Sequence, residues 1–157
     1  MFKPICPRIT RTLVDQTIRL KKDGTEEPTH EIGDVIPSGT TITTPLSVFE
    51  TATEVNFYRN TVPDAVVVNQ STGQEVAAAR ILGMCIGVLN PVANYAEGIN
   101  DGEWIKGGMQ QFYKDVAMPT GVITYRTIRG IINQPRDCQC AALALEADLA
   151  EITHPTN

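Results

Sequence analysis

The chain has 157 residues, of which 42% are hydrophobic and 20% are charged, values that exclude wholesale disorder and predict one globular domain. Its net charge of −5 is unevenly distributed. Residues 1–22 hold six basic side chains and one acidic side chain, whereas the rest of the chain holds seven basic and seventeen acidic ones. The sequence therefore predicts a basic N-terminal arm (1–22), with a net charge of +5, attached to a single acidic, β-rich domain (23–157).

The predicted N-terminal arm contains Pro4 and Pro7, which discourage a helix. We expect an extended arm that adds a strand to the sheet edge of a neighbouring molecule and is attracted to an acidic surface. An alternative interpretation is a solvated first strand with its charges on the open face. The candidate partner-binding side chains are basic or apolar: Lys3, Arg8, Ile9, Arg11, Leu13, Arg19, Lys21 and Lys22.

Short runs rich in Val, Ile and Thr alternate with frequent turn signals along the rest of the chain. Branched side chains suit a pleated surface and lose rotamer freedom in a helix. This layout predicts a mainly β protein that forms a small barrel or sandwich and has room for one short helix. The predicted strands are residues 17–21, 40–44, 65–68, 104–106 and 121–132.

Three stretches fit both a helix and a strand. A Ser-x-x-Glu capping box at 47–50 is compatible with a helix over 48–59, although the same residues also alternate as a strand would. Residues 76–82 contain three alanines and are compatible with a helix, but Gly83 and Gly87 would each weaken a helix interior by about 1 kcal/mol. Residues 141–152 carry apolar side chains at both spacings, and the surrounding β pattern favours a strand there.

The sequence contains no recognisable catalytic motif. His30 lies in an acidic loop and His154 lies near the end of the sequence, so we interpret both as solvated. The chain has no phosphate-binding glycine loop and no nucleophile elbow. We therefore predict that the protein is not an enzyme and has no cofactor.

Two further partner classes are disfavoured. Nucleic-acid binding requires a basic face, often with exposed aromatic side chains, whereas the predicted domain is acidic and the arm has only one aromatic residue. No apolar run is long enough to cross a bilayer, and the beginning of the sequence does not have the pattern of a signal peptide. We expect neither a nucleic-acid partner nor a membrane partner, and synthesis in a cytoplasm.

The four cysteines, Cys6, Cys85, Cys138 and Cys140, are predicted to be reduced thiols. Cys85 lies in an apolar run and is interpreted as a small core residue. The grouping Cys138-x-Cys140 with His154 has some metal-ligand character, but its spacing is not that of a zinc finger or ribbon and it lacks a fourth ligand. The sequence therefore predicts no metal site.

One family resemblance comes from a pattern of turns and strands. Its elements are Gly33-Asp34-Val35-Ile36-Pro37-Ser38-Gly39-Thr40, an alanine-rich stretch ending Arg80-Ile81-Leu82-Gly83-Met84, Gly107-Gly108-Met109, and the run 130–149. With these elements the chain resembles the capsid decoration, or cement, proteins of tailed bacteriophages.

The resemblance implies a structural virion protein on the outside of a capsid. Such a protein would be a homotrimer that binds the major capsid protein and stabilises contacts between neighbouring subunits, with its affinity raised by multivalency. It would be made in the host cytoplasm. Two alternatives stay open: another virion component, such as a tail, baseplate or adhesion module, and a small soluble enzyme.

Overall fold

The computed structural model describes residues 5–23, 32–44, 50–92, 94–99 and 113–143. In these ranges most of the regular structure is helical, and the strands are short. The elements in chain order are α1 (Pro7–Asp23), β1 (Thr40–Thr43), α2 (Ala52–Thr61), β2 (Ala65–Asn69), α3 (Thr72–Ile81) and α4 (Met118–Ile131). A π-helical turn, Tyr113–Ala117, leads into α4, and a 3₁₀ turn, Ala141–Leu143, lies beyond it.

The two strands confirm the predictions for residues 40–44 and 65–68, but they pair in parallel. Thr41 lies opposite Val67 and Thr43 lies opposite Asn69. Parallel neighbours need a crossover between them, and here α2 supplies it. The predicted β-barrel or sandwich is therefore wrong: the described residues form an α/β arrangement, because helices rather than hairpins connect and flank the strands.

The predicted extended arm and the strand at 17–21 are also wrong, because residues 7–23 form helix α1. Pro7 is the first residue of that helix, where its missing N–H breaks no hydrogen bond. Three threonines in α1 donate their hydroxyl hydrogen to the carbonyl oxygen four residues earlier, at 2.8–3.1 Å; these are Thr10, Thr12 and Thr17. Their branched side chains are thus accommodated inside a helix.

Residues 121–132, predicted as a strand, belong mainly to helix α4. Pro119, Ile123 and Thr127 are its buried residues, and they recur every four positions on one face. In a strand Tyr125 would share the face of Ile123 and Thr127, yet its side chain is 62% exposed. The buried face of α4 packs along α1, and the tertiary contact with α1 therefore outweighs the strand propensity of this segment.

Two of the three stretches that fitted both a helix and a strand, residues 48–59 and 76–82, are mainly helical where the structure describes them. Helix α2 begins one turn later than predicted, with a capping box formed by Thr51 and Glu54. Helix α3 covers most of residues 76–82 and begins earlier, at Thr72. The serine of the predicted capping box at 47–50, the strand predicted at 104–106 and most of residues 141–152 lie outside the described residues.

Gly83 ends α3 in the left-handed conformation, with φ of 61°. Its N–H donates to the Arg80 carbonyl at 3.1 Å, and the N–H of Met84 donates to the Ala79 carbonyl at 2.8 Å. These two bonds form a Schellman motif, a common way to end a helix at a glycine. The motif turns the chain into the extended segment 84–92.

The extended segment passes directly beside α1. The Cys6 N–H donates to the Ile86 carbonyl at 2.8 Å. A Cβ atom on Gly87 would overlap the side chain of Ile9 and come within 3.1 Å of Leu13, so the absence of a side chain at Gly87 permits this close approach. In the described part of the chain, no helix is both long enough and apolar enough to cross a membrane.

Candidate active site and cysteine cluster

The carboxyl ends of β1 and β2 meet at one edge of the sheet. In open parallel sheets ligands bind in the crevice outside this edge. The structure places polar, half-buried side chains here, from both strands, from the start of α3 and from the extended segment. We call this set the amide network; its members are Thr41, Thr43, Asn69, Thr72 and Asn90.

Hydrogen bonds hold the two amides of the network in defined orientations. Asn69 accepts at Oδ1 from the Thr43 hydroxyl at 3.0 Å, and its Nδ2 donates to Thr72 Oγ1 at 2.6 Å and to Asn90 Oδ1 at 3.4 Å. Asn90 Nδ2 in turn donates to Thr41 Oγ1 at 3.3 Å. The network thus presents neutral donors and acceptors in fixed positions at the sheet edge.

The N-terminal end of α3 faces the same edge. Ser71 occupies the position before the helix, and its side chain makes no capping hydrogen bond. The N–H of Gly73 donates to the Thr43 hydroxyl at 3.0 Å, which holds the helix start against β1. A helix N-terminus carries a partial positive charge that favours anions, so the amide network and an anion-attracting helix end lie side by side.

The sequence reasoning did not find the amide network. Ser71-Thr72-Gly73 is one of the turn signals along the chain, and a turn by itself suggests no functional role for the polar residues after β2. The available signal was local: the buried strand at 65–68 is followed at once by Asn69 and by a polar stretch that leads into an alanine-rich helix. A strand-to-helix junction of this kind is where parallel sheets place ligand-binding groups.

Of the described side chains predicted to bind a partner through the arm, Arg8, Arg11 and Arg19 line one polar groove between α1, the end of α4 and the segment after it, and the others lie elsewhere on α1. Arg8 donates to the Ile131 carbonyl at 3.5 Å, at the end of α4, and to the Pro135 carbonyl at 2.6 Å, beyond that end. Arg11 forms an exposed ion pair of 3.5 Å with Asp137. These two arginines therefore connect α1 to the segment that follows α4.

The other arm residues are spread along α1. Ile9 and Leu13 contact Gly87 from the core side of the helix. Lys21 donates to the Gly33 carbonyl at 2.8 Å and lies 3.9 Å from Asp34. Arg19 and Lys22 are exposed, and Lys3 lies outside the described residues. Binding of a partner by these exposed basic side chains stays a prediction.

The second constellation consists of all four cysteines, which we call the cysteine cluster. Cys6 immediately precedes α1, Cys85 lies in the extended segment after α3, and Cys138 and Cys140 follow α4. Their sulfur atoms all lie within 4.8 Å of one another, and those of Cys85 and Cys138 are 3.3 Å apart. The sequence separations concealed this grouping, because only the packing of α1 on α4 brings the ends of the described chain together. His154, considered with the last two cysteines, lies outside the described residues.

Hydrogen bonds and burial shift the pKa values of the thiols in the cluster in opposite directions. The pKa of Cys138 is lowered to about 6, first because the backbone N–H of Cys140 donates to its sulfur and also because the neighbouring thiols donate to it. Burial raises the pKa of Cys85 to about 12, and the bond to Cys138 adds to this effect. Burial also raises the pKa of Cys140. At neutral pH the cluster therefore favours a thiolate at Cys138.

Two arginines lie next to the cysteine cluster. Arg136 hydrogen-bonds to the sulfurs of Cys138 and Cys85, which raises the pKa of its guanidinium. Its Nη2 also donates to the Gly83 carbonyl, at the end of α3. Arg80 is only 7% exposed and hydrogen-bonds to the sulfur of Cys140. The cluster is thus surrounded by positive charge that matches anionic sulfur.

Comparison with known proteins corrects the functional hypothesis. The family model described as the phosphorylase superfamily matches residues 1–129, a range that contains both strands and the whole amide network. No curated protein matches the chain significantly. The family match overturns the resemblance to capsid decoration proteins and the structural virion function that it implied.

The same match shows that the prediction of a non-enzymatic protein is wrong, because members of this family are nucleoside phosphorylases and hydrolases. The error arose because the sequence reasoning looked for charged or nucleophilic catalytic motifs, whereas the site at the sheet edge is built from amides, hydroxyls and a helix end. Self-association remains a prediction. Since the family match covers most of its length, the chain belongs to the phosphorylase superfamily.

Proposed function

We propose that the protein cleaves the N-glycosidic bond of a nucleoside with inorganic phosphate, giving a free base and a sugar 1-phosphate. The observation that carries this proposal is the coincidence of the family match with the amide network at the carboxyl edge of the sheet. In this reaction a phosphate oxygen forms a bond to the sugar C1′. The bond from C1′ to the base nitrogen breaks, its electron pair leaves with the base, and the base takes up a proton.

The amide of Asn90 is suited to the leaving base, because only one of its two N–H hydrogens is used among the described residues, by Thr41. Asn69 gives both of its N–H hydrogens to Thr72 and Asn90 and so holds the Asn90 amide in position. Negative charge develops on the base as the bond breaks, and hydrogen-bond donors fixed in advance stabilise such charge best. Both amides are held by neighbouring hydroxyls, so they need little reorganisation when charge appears. An amide also presents a donor and an acceptor together, which matches the edge of a nucleobase.

The start of α3 is suited to the phosphate. The positive end of the helix favours an anion, and the hydroxyl of Ser71 is not engaged in capping. Phosphate at this end would lie beside the amide network, since Thr72 belongs to both. The two reactants of phosphorolysis would thus be held next to each other, which lowers the entropic part of the barrier.

The test is phosphate-dependent release of base from inosine, adenosine and uridine by the full chain, followed by liquid chromatography. We expect release with at least one of them, and formation of the sugar 1-phosphate. Asn90→Ala should lower kcat/KM by about 100-fold, the usual effect of removing one fixed donor from a developing charge. Asn69→Ala should lower kcat/KM as well, because it removes the hydrogen bond that orients the Asn90 amide.

Asn60→Ala is the matched control, because Asn60 is an exposed asparagine on α2 that lies outside the amide network. It should leave kcat/KM unchanged. If the base were released at the same rate without phosphate, the reaction would be hydrolysis and not phosphorolysis. Full activity of a folded Asn69→Ala variant would show that the amide network takes no part in the reaction.

A further inference from the structure

The cysteine cluster has the dimensions of a mononuclear metal site. In a tetrahedral zinc–thiolate site the Zn–S bonds are about 2.3 Å, so neighbouring sulfurs lie about 3.8 Å apart. The four sulfurs here all lie within 4.8 Å of one another, with Cys85 and Cys138 at 3.3 Å. Small rotations of the side chains would suffice to form the tetrahedron. We propose that Cys6, Cys85, Cys138 and Cys140 bind a single thiophilic divalent cation, zinc in the first instance.

The charges around the cluster support four thiolates and one cation. A divalent ion with four thiolates carries a net charge of −2, and the guanidinium groups of Arg80 and Arg136 lie against the sulfurs and balance it. Arg80 is only 7% exposed. Burial of a guanidinium group costs free energy unless an anion accompanies it. A metal–thiolate centre would place negative charge directly beside both guanidinium groups.

The backbone around the cluster also favours anionic sulfur. The N–H of Cys140 donates to the sulfur of Cys138, and hydrogen bonds of this kind orient and stabilise metal ligands. Cys6 lies immediately before Pro7, the first residue of α1, and the positive end of a helix stabilises a thiolate. Each observation is independent of the distances between the sulfurs.

A disulfide would engage only two of the four sulfurs of the cysteine cluster. A bond between Cys85 and Cys138 would bring these two sulfurs to about 2.05 Å, and it would leave Cys6 and Cys140 as thiols. It would also place two guanidinium groups beside uncharged sulfur. A metal ion engages all four sulfurs and both arginines, and for this reason we favour the metal.

Four protein ligands leave no open position on a tetrahedral ion, so the site is structural rather than catalytic. It joins the beginning of α1, the extended segment after α3 and the segment after α4. Asn90 of the amide network lies five positions after Cys85 on that extended segment. The metal would therefore hold in place one of the segments that supply the proposed active site, although its binding does not depend on the proposed reaction.

The test begins with the full chain, reduced and titrated with zinc or cobalt(II). We expect one metal ion per chain by elemental analysis after gel filtration. Cobalt should give the strong visible ligand-field bands of a tetrahedral thiolate site and a thiolate-to-cobalt charge-transfer band. Zinc should protect all four thiols from a disulfide reagent, and a chelator should expose them again.

Single variants identify the ligands. Cys6→Ser, Cys85→Ser, Cys138→Ser and Cys140→Ser should each weaken cobalt binding by about tenfold or more, in the range found when metal sites lose supporting groups. Gln139→Ala, between two of the ligands, should retain the spectrum. If a serine variant does not fold, the thiol-protection measurement on the unsubstituted chain shows whether all four cysteines bind the metal.

Three results would overturn the proposal. The first is a folded, reduced chain that binds no zinc and gives no tetrahedral cobalt spectrum. The second is metal binding that is equally strong in the Cys138→Ser variant. The third is recovery of the chain with an intact Cys85–Cys138 disulfide that reforms in preference to zinc binding. None of these measurements depends on nucleoside cleavage, so the proposed function can fail or succeed separately.

Discussion

The hydroxyl of Thr43 donates to Asn69 Oδ1 across 3.0 Å, and these two residues end the adjacent parallel strands β1 and β2. The same Thr43 oxygen accepts from the N–H of Gly73, at the start of α3. A single hydroxyl therefore connects both strand ends to the helix. The orientation of the Asn69 amide depends on this connection.

Replacement of Thr43 by valine preserves the shape of the side chain and removes both hydrogen bonds. We expect Thr43→Val to lower kcat/KM for nucleoside cleavage by about fivefold, since a lost hydrogen bond of about 1 kcal/mol loosens the Asn69 amide. Steady-state kinetics with phosphate measure this. Thr53→Val, at an exposed threonine on α2, is the control, and equal kinetics in the two variants would contradict the role of Thr43.

Gly87 permits the close approach of the extended segment to α1. Gly87→Ala is expected to lower the free energy of unfolding by about 1–3 kcal/mol, because the added methyl group would overlap the side chain of Ile9. Gly121→Ala is the matched control. Nothing lies within 4 Å of its added Cβ, and inside a helix the change should stabilise by up to about 1 kcal/mol.

Urea unfolding, followed by circular dichroism, compares the two glycine variants directly. The expected order of stability is Gly121→Ala, then the unsubstituted protein, then Gly87→Ala. An unchanged midpoint for Gly87→Ala would mean that α1 does not pack closely against this segment.

The burial pattern of α4 distinguishes a helix from the strand predicted for the same residues. Ile123 is 4% exposed, and Ile123→Ala should cost about 2–5 kcal/mol through the cavity that it leaves. Tyr125 is 62% exposed, so Tyr125→Ala should change stability by less than about 0.5 kcal/mol. A strand would bury both side chains, and similar large losses in the two variants would argue for it.

The capping box of α2 predicts a dependence of stability on pH. The backbone N–H of Thr51, and secondly its hydroxyl, hydrogen-bond to Glu54 and lower the pKa of this carboxyl below its ordinary value of 4.5. The folded state therefore favours the charged form. The resulting stabilisation is present above the pKa of the unfolded chain and is lost as the pH falls through the lowered pKa of the folded chain.

Glu54→Gln should accordingly be less stable than the unsubstituted protein at neutral pH, with the difference shrinking in acid. Thermal unfolding across the acid range measures the two profiles. Parallel profiles would show that the carboxylate of Glu54 makes no pH-dependent contribution to the cap.

Local patterns were sufficient for some elements. The β-branched runs at β1 and β2 predicted both strands, because three or four such residues in succession favour extended backbone in most settings. The alanines near Arg80 were compatible with a helix, but the sequence left that stretch open. The parallel pairing of the strands was not predicted, since a pair of short strands is compatible with a hairpin until the helix between them is recognised.

Helices α1 and α4 were assigned incorrectly for one physical reason. Both contain threonines and branched apolar residues, whose strand preference is weak and depends on context. In α1 the threonine hydroxyls bond to their own helix, and in α4 the residues Ile123 and Thr127 are buried at a spacing of four. Packing of the two helices on each other decided their conformation.

The sequence alone determined the positions of both strands and, through the family match, the superfamily. The composition of the amide network and of the cysteine cluster was decided only by the tertiary structure. Hydrogen-bonding amides and thiols become a site when residues far apart in the chain are brought within a few ångströms. That proximity depends on parallel strand pairing and on the packing of α1 against α4, which no local pattern of residues specifies.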